Sequence, residues 1–292
     1  MERESSRPTE DVDALVDEIQ RARPDFDLGQ GWQLLADRRG TLVLQLVVQG
    51  ERAQVLKIGQ AGPHAGFGND PAQLVRREAE VLRAIPEGLG PVLFASGECT
   101  GAAWLLMERL SGHPLHEAVR PGGREGPVSL VAIREAVQAC ARLHAAGWLH
   151  GDLQPAHFRW SEAGVRLLDF GLARGPGEQP GYRGALVHFV SPAVAAGMQR
   201  GDADIEYALA DEIFALGATL FFVHVRQTVH DYGDEPASFE SKLRCLVDGV
   251  GRRGFDLAPT REPRLEEVIE HCLQRRPADR PASLEELLPL LE

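Results

Sequence analysis

Apolar residues recur at helical spacing near the start of the chain: Val12, Leu15, Val16 and Ile19 share one face before Pro24 ends the pattern. Residues 10–22 therefore predict an amphipathic helix within an N-terminal extension, residues 1–28. The texture then turns strand-like. WQLLA (32–36), TLVLQLVV (41–48) and AQVLKIG (53–59) are separated by the polar turns DRRG and QGER, which predicts a three-stranded antiparallel meander. After a loop rich in Gly and Pro (59–71), Leu74, Glu78, Val81, Leu82 and Ile85 give helical spacing, with charges on the outer side. PVLFASGE (91–98) and AAWLLMERL (102–110) predict two more strands, and helical patterns dominate from there to the end. The expected fold class is α+β and bilobal: a small antiparallel-sheet lobe with one helix over 29–108, then a larger, mainly helical lobe over 109–292.

Composition narrows the function classes. With 292 residues and 43% hydrophobic content the chain can bury a full core. A net charge of −12 disfavours broad attraction to nucleic acid or an anionic membrane surface. Cys99, Cys140, Cys245 and Cys272 are far apart and lack metal-ligand spacing, so they read as reduced thiols. The most apolar run, IFALGATLFFVHV (213–225), is shorter than the roughly twenty residues a bilayer requires and predicts a buried core helix. No early segment carries the marks of an export signal, so no membrane span and a cytoplasmic location are expected.

The candidate chemistry lies after a helix on which Ile133, Val137, Cys140 and His144 share a face. That helix ends near Gly147 and delivers WLHGDLQPAHF (148–158) as a loop. Beyond it, GVRLLDFGLAR (164–174) reads as an apolar strand ending in Asp-Phe-Gly. Asp152 and Asp169 thus stand on loops at neighbouring element ends, 17 positions apart. One carboxylate can orient a hydroxyl and another can hold Mg²⁺, because hard cations prefer oxygen. Upstream, Lys57 ends the third strand and Glu78 lies on the following helix, a pair able to place an ammonium on a phosphate.

Taken in order, VLKIG, RREAEVL, WLLMERL, HGDLQPAHF, LLDFG, HFVSPA, ADEIFALG and RRPADRPASLEEL resemble the motif set of the protein-kinase-like superfamily, from about residue 32 to the end. The resemblance implies an ATP-dependent phosphotransferase. In it Lys57 would bind the α- and β-phosphates with Glu78 as ion-pair partner, and Asp152 would position the acceptor hydroxyl. Asp169 would hold Mg²⁺, or Mn²⁺ as the alternative, and Asp211 resembles the buried aspartate that anchors the catalytic loop. Glu108 to Leu110 would meet the adenine, with Met107 as gatekeeper. The implied acceptor is a hydroxyl on a protein or peptide, with a small-molecule or sugar hydroxyl as rival, and the N-terminal helix offers a place for a partner protein.

Several positions depart from the family pattern. The family's last phosphate-loop glycine falls on Gly40, and Leu35 and Asp37 occupy other glycine positions; Arg38 or Arg39 supplies charge there or marks a solvated hairpin tip. Gly151 replaces an arginine that receives an activation-segment phosphate in many relatives. Between Asp169 and Ser191 the chain has no Ser or Thr and a single tyrosine, Tyr182. HGD in this loop also resembles aminoglycoside phosphotransferases. Gln154 and Leu186 replace a Lys–Thr pair of serine/threonine kinases. His157 replaces the asparagine of the second metal contact, as in bacterial lipopolysaccharide-core sugar kinases; imidazole suits Mn²⁺ better than Mg²⁺, and a histidine bonded only within the loop is the other reading. Arg159 falls where an apolar residue usually lies beneath adenine. Ala193 replaces a glutamate whose partner, Arg280, is kept, so Arg280 must find another acid or carbonyl. These departures leave two readings, an active phosphotransferase and a pseudokinase acting as a binding or scaffold module.

Overall fold

The computed structural model describes residues 9–25, 28, 31–38, 40–47, 53–62, 69–123, 126–177, 181–233 and 237–292. The chain divides into two compact units, Met1–Ala84 with Pro91–Leu110, and Ile85–Gly90 with Ser111–Glu292.

In the first unit, α1 (Thr9–Ala22) precedes β1 (Trp32–Arg38), β2 (Thr41–Leu46) and β3 (Gln54–Gln60); α2 (Pro71–Ala84), β4 (Leu93–Cys99) and β5 (Ala102–Glu108) follow. The five strands form one antiparallel sheet in the order β1-β2-β3-β5-β4. Alternation sets its faces: Leu42, Leu44 and Leu46 of β2 are buried, whereas Thr41, Val43 and Gln45 are half-buried. On β3 the same rule sends Leu56 and Ile58 to one face and Lys57 to the other.

The expected helix α1 is present, and its apolar face is already covered. Val12 and Ile19 are buried in one cluster with Leu42, Leu44, Leu56 and Ile58, with Leu15 and Val16 packed against it. Each such fully buried side chain contributes about 1.5–3 kcal/mol. Polar contacts stitch the helix down as well: Trp32 Nε1 donates to Asp13 Oδ1 at 2.8 Å, and both the backbone N and Oγ1 of Thr100 donate to Glu18 Oε1 at 2.8 Å. The apolar face of α1 is therefore taken by its own sheet, which lends no support to a partner protein there. A correction concerns DRRG. β1 continues through Asp37 and Arg38, which pair with Leu42 and Thr41, so both belong to the strand, and Gly40 has φ 77°. Arg39 lies outside the described residues.

The second unit contains β6 (His113–Pro114), α3 (Leu115–Ala118), α4 (Leu130–Ala145), β7 (Phe158–Ser161) and β8 (Gly164–Leu167). It continues with α5 (Pro192–Arg200), α6 (Leu209–Val225), α7 (Phe239–Asp248) and α8 (Pro263–Cys272). The predicted core helix is α6, buried nearly all round, as a helix apolar on every face must be. Ser191 starts α5 by accepting the Val194 N–H at 3.2 Å, ahead of Pro192 in the first turn. Arg280 has found the acceptors its burial demands: Ala210 O at 2.7 Å, Gln274 O at 2.8 Å and Arg275 O at 3.1 Å, with Asp211 Oδ1 3.8 Å away. Among the described residues no helix is long and apolar enough to cross a membrane.

Candidate active site

Each unit carries part of the expected chemistry. In the first, Lys57 sits mid-strand on β3, in register with Val43 of β2 and Leu105 of β5. Its Nζ donates to Glu78 Oε2 of α2 at 2.6 Å, with the two side chains only 11% and 1% exposed. Such a buried charge-assisted bond fixes both groups, since breaking it would strand a charge. Met107 is buried near the end of β5, Leu110 is buried just beyond it, and half-buried Glu108 accepts the Val92 N–H at 3.2 Å. Arg38 is exposed at the end of β1.

In the second unit, the loop after α4 is held from both sides. Glu212, on α6, accepts the backbone N–H of His150 at 2.5 Å and that of Gly151 at 3.0 Å. It also accepts the Tyr207 hydroxyl at 2.6 Å, with His144 Nε2 3.5 Å away. Burial alone would raise the Glu212 carboxyl; the His144 bond and charge, His150 and Tyr207 hold it below the ordinary carboxylate range. From the other side, the Tyr182 hydroxyl donates to Gly151 O at 2.9 Å. Burial, together with the nearby charges of Asp152 and Glu212, pushes that phenol well up, so it remains a donor. Tyr182 stacks at 4.7 Å on Tyr207 and its N–H reaches Asp204 Oδ1 at 2.6 Å.

This arrangement explains Gly151. Its φ is 79°, and a Cβ there would collide with the carbonyl oxygen of Leu172. No side chain fits without displacing the segment after Asp169, so the missing arginine is a steric requirement of this loop.

The remaining candidate groups follow. The Gln154 amide donates to both Asp152 carboxylate oxygens, at 3.3 and 3.2 Å. His150 is buried and donates Nε2–H to Leu168 O at 2.9 Å while its Nδ1 faces the Asp152 N–H at 3.3 Å; burial pushes its pKa down, in keeping with that neutral ring. Its ring lies 5.0 Å from Phe170. His157 closes a short 3₁₀ turn, Pro155–His157, and its Nδ1 can only donate to the carbonyl oxygen of Asp152, 2.8 Å away. In the neutral ring Nε2 then keeps its lone pair, and it stands 3.7 Å from Asp169 Oδ2. Asp169 itself is a non-glycine residue at φ 65°, a conformation of the kind that concentrates at functional sites.

An imidazole nitrogen and a carboxylate oxygen 3.7 Å apart can be neighbouring ligands of one cation, so His157 and Asp169 fit a metal. Among the described residues no group of three His, Cys, Asp or Glu side chains could hold one alone. Arg159 lies on β7 opposite Arg166 and Pro114, half-buried, and its charge reaches His116.

One sequence expectation is overturned here. Asp211 is not the anchor of the loop; Glu212 is. At the third position of α6 Asp211 turns back to accept the Ala208 N–H at 3.0 Å and the Ser191 hydroxyl at 2.5 Å. The next residue is rotated by about 100° around the helix and carries one more methylene, which brings its carboxylate to the loop. Tyr207 and the Gln154 contact were also not foreseen. The adjacent acids of ADEIFALG were the signal available for Glu212.

No model of a known protein family matches the chain. It is nevertheless similar to the serine/threonine-protein kinase PknA of Mycobacterium tuberculosis, 24% identical over 275 residues, which are 90% of this chain and 57% of the relative. It is 27% identical over 222 residues to a probable serine/threonine-protein kinase PknB of Corynebacterium glutamicum, covering 70% of this chain and 32% of that one. To the serine/threonine-protein kinase pkn3 of Myxococcus xanthus it is 27% identical over 230 residues, 72% and 40% of the two chains. At the level of the protein-kinase-like superfamily the resemblance holds, and the α+β make-up of the two units agrees with it. The chain spans little more than half of the PknA relative and less of the other two.

Proposed function

We propose that the chain is an ATP-dependent phosphotransferase that passes the γ-phosphate to a hydroxyl, on a protein or peptide. The observation that carries this reading is the position of His157: one ring nitrogen is fixed on the Asp152 carbonyl and the other is turned to Asp169 at 3.7 Å. A cation placed between that second nitrogen and the Asp169 carboxylate would join the loop to the segment after β8. The names of the similar proteins add support for a protein acceptor.

In this reading Lys57, oriented by Glu78, neutralises the α- and β-phosphates of ATP. His157 and Asp169 would hold Mg²⁺ or Mn²⁺, which when bound supplies charge neutralisation at the transferring phosphoryl group. Asp152 accepts the proton of the acceptor hydroxyl and aims its oxygen. Gln154 keeps both carboxylate oxygens of Asp152 oriented without adding a charge, and the clamp of Glu212 and Tyr182 fixes the backbone that carries them. Gly40, Arg38, Met107, Glu108, Leu110 and Arg159 are assigned to the nucleotide. A second reading, a binding module without turnover, is favoured by the pairing of Asp37 and Arg38 with β2, which leaves fewer backbone N–H groups for phosphate than a glycine-rich loop does.

The test is transfer of label from γ-labelled ATP with Mg²⁺ and, separately, with Mn²⁺. Label on serine or threonine of a mixed protein substrate is the expected result. Label only on a sugar or other small hydroxyl compound would move the acceptor class, and no transfer with either metal would leave the binding module.

A further inference from the structure

A basic pocket in the second unit lies apart from the candidate active site. Residues 229–231 and 251–253 pair antiparallel: Asp231 N donates to Gly251 O and Arg253 N to Val229 O, both at 2.8 Å. His230 and Arg252 stand directly opposite each other between those two bonds. In such a pair both side chains leave on the same side, with their Cβ atoms about 5 Å apart. They meet a third cation, Arg275, which follows α8 and lies against Gly249 while donating to Val247 O. These three line a cavity of about 90 Å³ whose apolar walls include Phe214, Leu246 and Leu273.

Two features mark the pocket as made for an anion. First, among the described residues neither Arg252 nor Arg275 has a carboxylate partner, whereas neighbouring Arg253, on the opposite side of the pair, takes Asp231 at 2.9 Å and His230 O at 2.8 Å. Both guanidinium groups are exposed and converge beside His230, so they are available to one anion. Second, the His230 ring is only 5% exposed, and its Nδ1 is committed to Val250 O at 2.9 Å. Nε2 has no partner among the described residues and belongs to a side chain that lines the cavity. Burial and the three arginines push the His230 pKa down, so Nε2 offers a lone pair, not a proton.

We propose that His230, Arg252 and Arg275 form a binding site for a phosphate group, either inorganic phosphate or the phosphate of a small monoester. The oxygens accept from the two guanidinium groups, and the remaining P–OH of a hydrogen phosphate donates to His230 Nε2. Sulfate, which has no proton to give near neutral pH, matches the arginines but not the histidine. Arg252 also borders a shallower depression of about 420 Å³ with Arg253 and Gln274, where the organic part of a monoester has room.

The experiment is calorimetric titration of the full chain with inorganic phosphate, with glycerol phosphate and with sulfate, at constant ionic strength. Phosphate is expected to saturate one site and to bind about tenfold or more tighter than sulfate. Arg252→Ala, a change at an exposed residue, should weaken phosphate at least tenfold, and Lys57→Ala should leave it unchanged. Tighter binding of glycerol phosphate assigns the site to monoesters; equal or weaker binding assigns it to the free ion. A long-range ¹H–¹⁵N spectrum should show the His230 Nε2 resonance moving with phosphate and not with sulfate. Phosphate binding lost in Lys57→Ala but kept in Arg252→Ala, no saturable binding, or a His230 signal indifferent to phosphate would each overturn the proposal. The outcome is independent of whether the chain transfers phosphoryl groups.

Discussion

Asp152→Asn is expected to lower phosphoryl transfer by ~10³-fold, within the range a positioned base contributes, while nucleotide affinity stays within about twofold. Asparagine keeps the shape of the side chain but cannot accept the proton of the acceptor hydroxyl. It also places an amide against the Gln154 Nε2 that now serves both carboxylate oxygens at 3.2–3.3 Å, so the side chain must turn to offer its single oxygen. The loss should therefore fall on kcat. The backbone of the loop is held independently by Glu212 and Tyr182, so folding should be unaffected. Initial rates at saturating ATP, beside a nucleotide titration of the same variant, check both halves; an equal loss in affinity and rate would contradict this division of roles.

Glu212→Ala should destabilise the protein by about 3–5 kcal/mol, the cost of removing one side of a buried charged network. Four groups lose their acceptor at once: the N–H groups of His150 and Gly151, the Tyr207 hydroxyl and His144. The two N–H groups cannot turn to solvent, because His150, Gly151 and Glu212 are all buried, whereas Tyr207 and His144 are half-buried. Asp211→Ala should cost less, since Asp211 serves the start of α6, Ser191 and the distant edge of Arg280, which keeps three carbonyl acceptors without it. Urea unfolding of the two variants ranks them. A smaller loss for Glu212→Ala than for Asp211→Ala would return the anchoring role to Asp211.

Much of the fold was legible because burial writes a period into the chain. β2 shows it most plainly, with leucine at every second position on the buried face, and α6 shows the continuous apolar run of a helix covered on all sides. β1 was harder to bound: it is an edge strand, half-buried or exposed along its length, so Asp37 and Arg38 look like turn residues while still pairing with β2. The fate of α1 was open for a different reason. An amphipathic stripe states that something must cover it, and the same four residues would read identically under a partner or under the chain's own sheet.

At the candidate site the ordered motifs singled out Lys57, Glu78, Asp152, His157 and Asp169 as candidates. The sequence could not supply the contacts that involve backbone. Gly151 carries no sign that a Cβ would meet Leu172 O, and Arg280 could be said to need acceptors but not to have found Ala210, Gln274 and Arg275 carbonyls. The choice between Asp211 and Glu212 depended on helical phase at the first turn of α6, which two adjacent acids leave undetermined.

The most direct measurement of the central claim is calorimetric titration of the purified chain with a non-hydrolysable ATP analogue, with Mg²⁺, with Mn²⁺ and with neither, beside Asp169→Ala. The reading of His157 and Asp169 as metal ligands predicts binding that depends on the metal and is lost in the variant. Binding that ignores the metal, or no binding under any condition, would contradict it.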